Sequence, residues 1–249
     1  MISARRVLIP SHGRELRGVF VRPEGDGAVP GVLVFHEAYG LNEDIEGHCR
    51  RLAELGYAAL APDLYSGRGP RPFCVWRVMR ELGRARGTVF DDLEAARRWL
   101  AEQPGVLPDR IGVIGFCMGG GFALLFAARA PVQAAGVFYG AVPASAEALR
   151  GICPVVAGYG GRDRMFRRYA ERLEHHLEEL GVEHDIKVYP QAGHSYMNVH
   201  RGFVPWLARW GPLHAGYDPE AAEDSWRRVA AFFGRYLGGE PLAGGEASP

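Results

Sequence analysis

The chain has 249 residues, 47% hydrophobic and 23% charged, enough apolar material for one substantial core. Its 29 basic residues balance 29 acidic ones, so no net field draws in nucleic acid or an anionic membrane, and a small molecule is the partner to expect. The N-terminus lacks the apolar stretch of a signal peptide, no run is long and apolar enough to span a bilayer, and the cysteines at 49, 74, 117 and 153 have no paired spacing that points to zinc or disulfides. A cytoplasmic protein with reduced thiols, a monomer or small homo-oligomer, is expected.

Two short strands at 5–9 and 16–22, joined by a turn at Ser11, His12 and Gly13, read as an antiparallel hairpin at a sheet edge. Residues 30–36 form a continuous apolar run of the kind buried in a parallel sheet, followed by a helix over 42–55 and a buried strand over 57–61. A Gly/Pro/Arg loop reaches residue 72. Helical periodicity is weak over 73–86, where Arg77, Arg80, Arg84 and Arg86 read as a solvated face, and clear over 91–101. Strands at 109–115, 134–139, 154–159 and 183–189 then alternate with helices at 118–130, 144–149, 163–180 and 219–237. In the helix over 163–180, His175 and His176 lie in a run of Glu and Arg and read as solvent-facing. This alternation predicts an α/β domain over 1–237, a mostly parallel sheet with helices on both faces. The Gly/Pro/Ala-rich residues 238–249 read as a disordered tail.

The chemistry centres on Gly-Phe-Cys-Met-Gly at 115–119. A glycine on either side of the nucleophile is what a sharp strand-to-helix turn needs, because a Cβ there would meet neighbouring backbone. Cys117 then stands at the strand's C-terminal end, where the positive end of the next helix favours thiolate over thiol. A thiol nucleophile needs a base, and the base needs an orienting partner. Asp163 follows the strand over 154–159 and His194 follows the last strand, so both fall on the rim that carries Cys117. Taken alone, Asp163 reads as a helix N-cap and His194 as a turn histidine. Together with Cys117 they follow the order nucleophile, acid, histidine. The N–H groups of Met118 and Ala38 are the candidate oxyanion donors. Glu37 beside Ala38 is out of place, since a carboxylate at such a lip opposes the developing negative charge.

The ordered set of motifs resembles the dienelactone hydrolase family of α/β-hydrolases. Its members are His-Glu-Ala-Tyr-Gly-Leu-Asn at 36–42, Ala-Pro-Asp-Leu-Tyr at 61–65, Phe-Asp-Asp-Leu-Glu-Ala-Ala at 90–96, the elbow, Phe-Tyr-Gly at 138–140, Gly-Gly-Arg-Asp at 160–163 and Ala-Gly-His-Ser at 192–195. The resemblance implies a triad of Cys117, Asp163 and His194, with Glu37 as a second carboxylate that contacts the resting thiol and helps it become a thiolate once substrate binds. It also implies Tyr139 as a pocket residue, and hydrolysis of a lactone or small ester through a thioester, with no metal and no cofactor. The dienelactone enzyme binds its substrate's carboxylate with arginines, one of them four residues beyond the catalytic histidine. Here that position is Asn198, and an amide does not replace a bidentate guanidinium. Arg201, Arg71, Arg77 and Arg80 are candidates for the missing cation, and the aromatic segment with Phe203, Trp206, Trp210 and Tyr217 for an apolar rim. Two alternatives stay open: a carboxylesterase or thioesterase for apolar acyl groups, and a non-catalytic ligand-binding or thiol-sensing protein on the same scaffold.

Overall fold

The computed structural model describes residues 4–69, 71–200 and 211–238. His12 and Gly13 both take positive φ, 45° and 76°, the twist with which a two-residue turn joins antiparallel strands. β1 (Ala4–Ser11) and β2 (Arg14–Val21) therefore close directly on each other, Ser11 opposite Arg14. Six strands follow: β3 (Val29–Phe35), β4 (Ala58–Pro62), β5 (Val106–Phe116), β6 (Ala134–Phe138), β7 (Val155–Gly160) and β8 (His184–Tyr189). All eight lie in one sheet of order β1-β2-β4-β3-β5-β6-β7-β8, antiparallel as far as the β2–β4 pair and parallel beyond it. This is the mostly parallel sheet with an N-terminal hairpin that the alternation predicts.

Among the described residues, six helices cover it: α1 (Glu43–Glu54), α2 (Arg71–Gly83), α3 (Thr88–Ala101), α4 (Met118–Ala127), α5 (Arg168–Glu179) and α6 (Pro219–Leu237). Alternate strand residues point to opposite faces. Val32, Val34, Ile114 and Phe116 therefore meet α1 and α6, whereas Leu33, Phe35, Val113 and Val137 meet the α2 to α5 side. α1 buries Ile45, His48, Cys49, Leu52 and Ala53, one stripe of a 3.6-residue period, and Asn42 caps it by accepting from the Ile45 N–H at 3.1 Å. α6 is capped by Asp218, starts on Pro219 and stops where Gly238 turns left-handed. α4 is buried at every position, which its glycines and apolar residues permit and which places its first turn deep in the molecule.

Several boundaries differ from the expected ones. The strand at 109–115 starts earlier, at Val106, because Val106 and Leu107 already pair with Val29 and Pro30 before a register shift at Pro30/Gly31. The helix expected at 144–149 is a single 3-10 turn over Ala146–Leu149. α5 begins at Arg168 rather than 163, because the residues before it form a separate turn held by Asp163. His176 is a correction: it is buried beside Leu173 and Leu177, with Nε2 3.1 Å from the Pro143 carbonyl, and only His175 faces solvent. No described helix is long and apolar enough to cross a membrane. Residues 239–249 lie outside the described residues.

Candidate active site

Cys117 is the hinge between β5 and α4, with φ 53° and ψ −116°, a backbone state that costs an ordinary side chain energy and persists only where the surroundings enforce it. The surroundings are tight. A Cβ on Gly115 would lie 2.0 Å from the Gly119 carbonyl oxygen, and one on Gly119 would lie 2.1 Å from that of Phe35. Cys117 donates its own N–H to the Phe138 carbonyl at 3.0 Å and accepts from the Gly121 N–H at 3.2 Å. The thiol is part-exposed and touches both core faces.

Asp163 and His194 approach it from the ends of β7 and β8. His194 Nδ1 donates to Asp163 Oδ2 at 2.5 Å, and Asp163 Oδ1 accepts from the Met165 and Phe166 N–H groups, each at 3.0 Å. The His194 backbone is pinned on both sides, its N–H to the Leu213 carbonyl at 2.9 Å and its carbonyl to the Gly216 N–H at 3.1 Å. Burial disfavours the imidazolium. The charge of Cys117 and the carboxylate of Asp163 outweigh that and push His194 up to about 10. The ring packs against Tyr139, at 5.1 Å, and Phe166, at 4.6 Å.

On the other side of the thiol, the loop after β3 is fastened by groups of the motifs at 36–42 and 61–65. The Leu64 N–H donates to His36 Nε2 at 3.0 Å, so the ring proton sits on Nδ1 and donates to the Glu37 carbonyl at 2.7 Å. Tyr65 donates its hydroxyl to the Ala38 carbonyl at 3.0 Å and lies 3.7 Å from Met118 Sδ, tying together the two candidate oxyanion residues. Glu37 is buried. Its Oε1 accepts from Ser195 Oγ at 2.9 Å, and its Oε2 lies 2.6 Å from His200 Nε2, a close ion pair set off the hydrogen-bond direction. Burial pulls the Glu37 carboxyl upward, but His200, His194 and Ser195 prevail and hold it below the usual carboxylate range.

The remaining candidates fall elsewhere. Asn198 is 1% exposed, with Oδ1 2.5 Å from His48 Nε2 and Nδ2 donating to the Tyr139 hydroxyl at 3.4 Å, so both ends of its amide are engaged inside the protein. Tyr139 is likewise buried, its ring backing His194 rather than opening to solvent. Arg80 is exposed on α2 with its guanidinium over Trp76, 4.7 Å from the ring centre. Trp206 and Arg201 lie outside the described residues. Phe166 and His200 had no motif signal, whereas Tyr65 and Ser195 stand inside the motifs at 61–65 and 192–195, which did not disclose their roles, since each is recruited by tertiary contact.

The sequence model of the Dienelactone hydrolase family matches residues 16–237, nearly the whole described chain. The chain belongs to the dienelactone hydrolase family. Among its relatives is the Salmonella typhimurium protein named "Putative carboxymethylenebutenolidase", 32% identical over 254 residues covering 95% of this chain and 89% of the relative. A solved dienelactone hydrolase from Klebsiella pneumoniae, itself named as putative, superposes with a TM-score of 0.79 at 30% identity, covering 95% of this chain and all of the other. A dienelactone hydrolase-like promiscuous phosphotriesterase from metagenomic libraries gives a TM-score of 0.80 at 27% identity, covering 94% and 98%. Dienelactone hydrolase family membership also accounts for the α/β-hydrolase fold.

Proposed function

We propose that this family member hydrolyses a lactone or small carboxylic ester with Cys117 as nucleophile. The observation that carries the reading is the relay in which Asp163 Oδ2 holds His194 Nδ1 at 2.5 Å, leaving Nε2 to serve the thiol at the elbow. The Cys117 thiolate adds to the ester carbonyl, and the oxyanion is held by the N–H groups of Met118 and Ala38. The C–O bond breaks, His194 protonates the departing oxygen, and a thioester remains. Water gives a proton to His194 and attacks the thioester; acid and thiol are released. A thiolate is itself readily expelled from the tetrahedral intermediate, so good leaving groups such as enolates are favoured and amides are poor substrates.

Exposure and burial support selective reaction at Cys117. Burial pushes Cys153 up to about 12 and Cys49 well above the ordinary thiol range, and Cys74 is 1% exposed. Iodoacetamide is therefore expected to label Cys117 first, in step with loss of ester hydrolysis, and Cys117→Ala to lower kcat/KM by at least about a thousandfold. Peptide mapping after partial alkylation checks the first and esterase assays the second. Uniform labelling of all four cysteines, or an active Cys117→Ala, sinks the reading.

A carboxylesterase for apolar acyl groups is a second reading, favoured by Phe166 against His194 and by Met165, 59% exposed, beside it. Faster turnover of a neutral methyl ester than of the matching enol lactone carboxylate selects this version.

A further inference from the structure

Two hydrogen-bond donors meet on one backbone carbonyl after β3, that of Glu37. The His36 ring donates to it from Nδ1 at 2.7 Å, and the Gly40 N–H donates to it at 2.9 Å. That carbonyl and the Ala38 N–H belong to the same planar unit, and in a trans peptide the two point in opposite directions. Donors on the carbonyl therefore fix where the N–H points, and by polarising the amide they make it a stronger donor. Among the described residues no protein group accepts from the Ala38 N–H itself.

The His36 ring is held at its far edge. Its Nε2 accepts from the Leu64 N–H at 3.0 Å, and the fully buried ring lies tilted against that of Tyr65 at 5.0 Å. The turn that carries Leu64 is clamped at the end of β4. Asp63 donates its N–H to the Arg17 carbonyl at 2.7 Å and accepts on Oδ1 from the Tyr65 N–H at 3.0 Å. Tyr65 then reaches the following peptide, donating its hydroxyl to the Ala38 carbonyl at 3.0 Å. One turn thus braces both peptides that flank Ala38, the first through His36 and the second through Tyr65. α4 packs on the same stretch: a Cβ on Gly119 would run into the carbonyls of Phe35 and His36. The turn that supplies the Met118 N–H therefore lies directly on the chain leading into Ala38.

We propose that His36 is a positioning residue for the oxyanion donor at Ala38. Fixed by the Leu64 N–H on one nitrogen, it holds the Glu37 carbonyl with the other, so that the Ala38 N–H is aimed and polarised before substrate arrives and needs no rearrangement when the oxyanion forms. The inference rests on the proposed hydrolysis at Cys117 with Ala38 as an oxyanion donor.

Two reactions of the same thiol separate positioning from packing. Hydrolysis of 4-nitrophenyl acetate passes through a tetrahedral oxyanion, whereas alkylation by iodoacetamide displaces iodide and forms none. A Gln amide ends near the place of Nε2 and an Asn amide near that of Nδ1. His36→Gln can keep the bond to Leu64 and loses the one to Glu37, and His36→Asn does the reverse. His36→Gln is expected to lower kcat about thirtyfold with KM little changed, while Cys117 alkylation stays within about threefold of wild type. His36→Asn is expected to hold kcat within about fivefold of wild type. A wild-type kcat in His36→Gln, or alkylation that falls in step with hydrolysis, overturns the role of His36. If His36→Gln fails to fold, judgement passes to His36→Asn, and a folded His36→Asn that alkylates normally but has lost hydrolysis overturns it. An active Cys117→Ala instead removes the nucleophile reading beneath the inference.

Discussion

Asp163 divides its carboxylate between two tasks, and the division makes its role testable apart from folding. Oδ1 holds the Met165–Phe166 turn through two N–H groups, and Oδ2 holds His194. In Asp163→Asn the amide oxygen can keep both turn bonds while the NH2 faces His194. Nδ1 must then accept, its proton moves to Nε2, and the ring can no longer take a proton from the thiol. The expected result is a fall in kcat of about a thousandfold to ten-thousandfold with little change in Tm. A thermal melt beside a steady-state ester assay separates the two effects, and a large drop in Tm with kcat retained contradicts this division of labour. The same logic explains what was legible at this scale. Cys117, Asp163 and His194 sit in glycine-marked motifs at strand ends, so order along the chain locates them. Tyr65, Phe166, Ser195 and His200 act through contacts made across tens or hundreds of residues, such as Ser195 on Glu37; Phe166 and His200 carry no local pattern, and the motifs that hold Tyr65 and Ser195 do not disclose these contacts. Asn198 stands four residues beyond His194, where the resemblance expects a substrate-binding arginine, and its buried amide faces His48 and Tyr139.

At the scale of elements, the strand and helix sequence was readable because each segment keeps one period. The ends were less so. Asp163 resembles an N-cap by type, yet its side chain is used by the preceding turn and by His194, so α5 starts only at Arg168. His176 lies in a charged run but falls on the Leu173 and Leu177 stripe, and the helical period prevails over composition. Two glycines separate packing from propensity. Gly119→Ala drives a Cβ to 2.1 Å from the Phe35 carbonyl oxygen, a clash between backbones that cannot move apart without opening β3 from α4. A loss of at least about 3 kcal/mol or failure to fold is expected. Gly47→Ala, in the middle of α1 with nothing within 4 Å of the new Cβ, should instead stabilise by about 0.5–1 kcal/mol. Urea denaturation midpoints of the pair check both signs; a tolerated Gly119→Ala contradicts the tight elbow.

For the whole molecule, the buried His48 and His194 and the half-buried His200 set opposite limits on stability. His48 joins three elements, resting on Phe116 of β5 at 4.3 Å and on Trp226 of α6 at 5.4 Å while it leaves from α1. Burial lowers its folded pKa to about 4, so as pH falls the unfolded chain takes up the proton first. Stability is unaffected by this group above about 6.5 and falls between about 6.5 and 4, the loss reaching about 3 kcal/mol once both states are protonated. His194 and His200 run the other way, since partners raise them to about 10 and about 9 in the folded chain. Their stabilisation is full below about 6.5 and is lost as pH climbs through those values. Stability should therefore peak near neutral pH and fall on both sides. His48→Gln, which can still reach Asn198 but does not titrate, should flatten the limb between pH 6.5 and 4 and leave the alkaline limb in place. His200→Gln should flatten only the alkaline limb. Urea unfolding from pH 4 to pH 10 resolves the two, and an acid limb unchanged by His48→Gln would show that carboxylates such as Glu37, rather than the histidine at the junction of α1, β5 and α6, govern acid sensitivity.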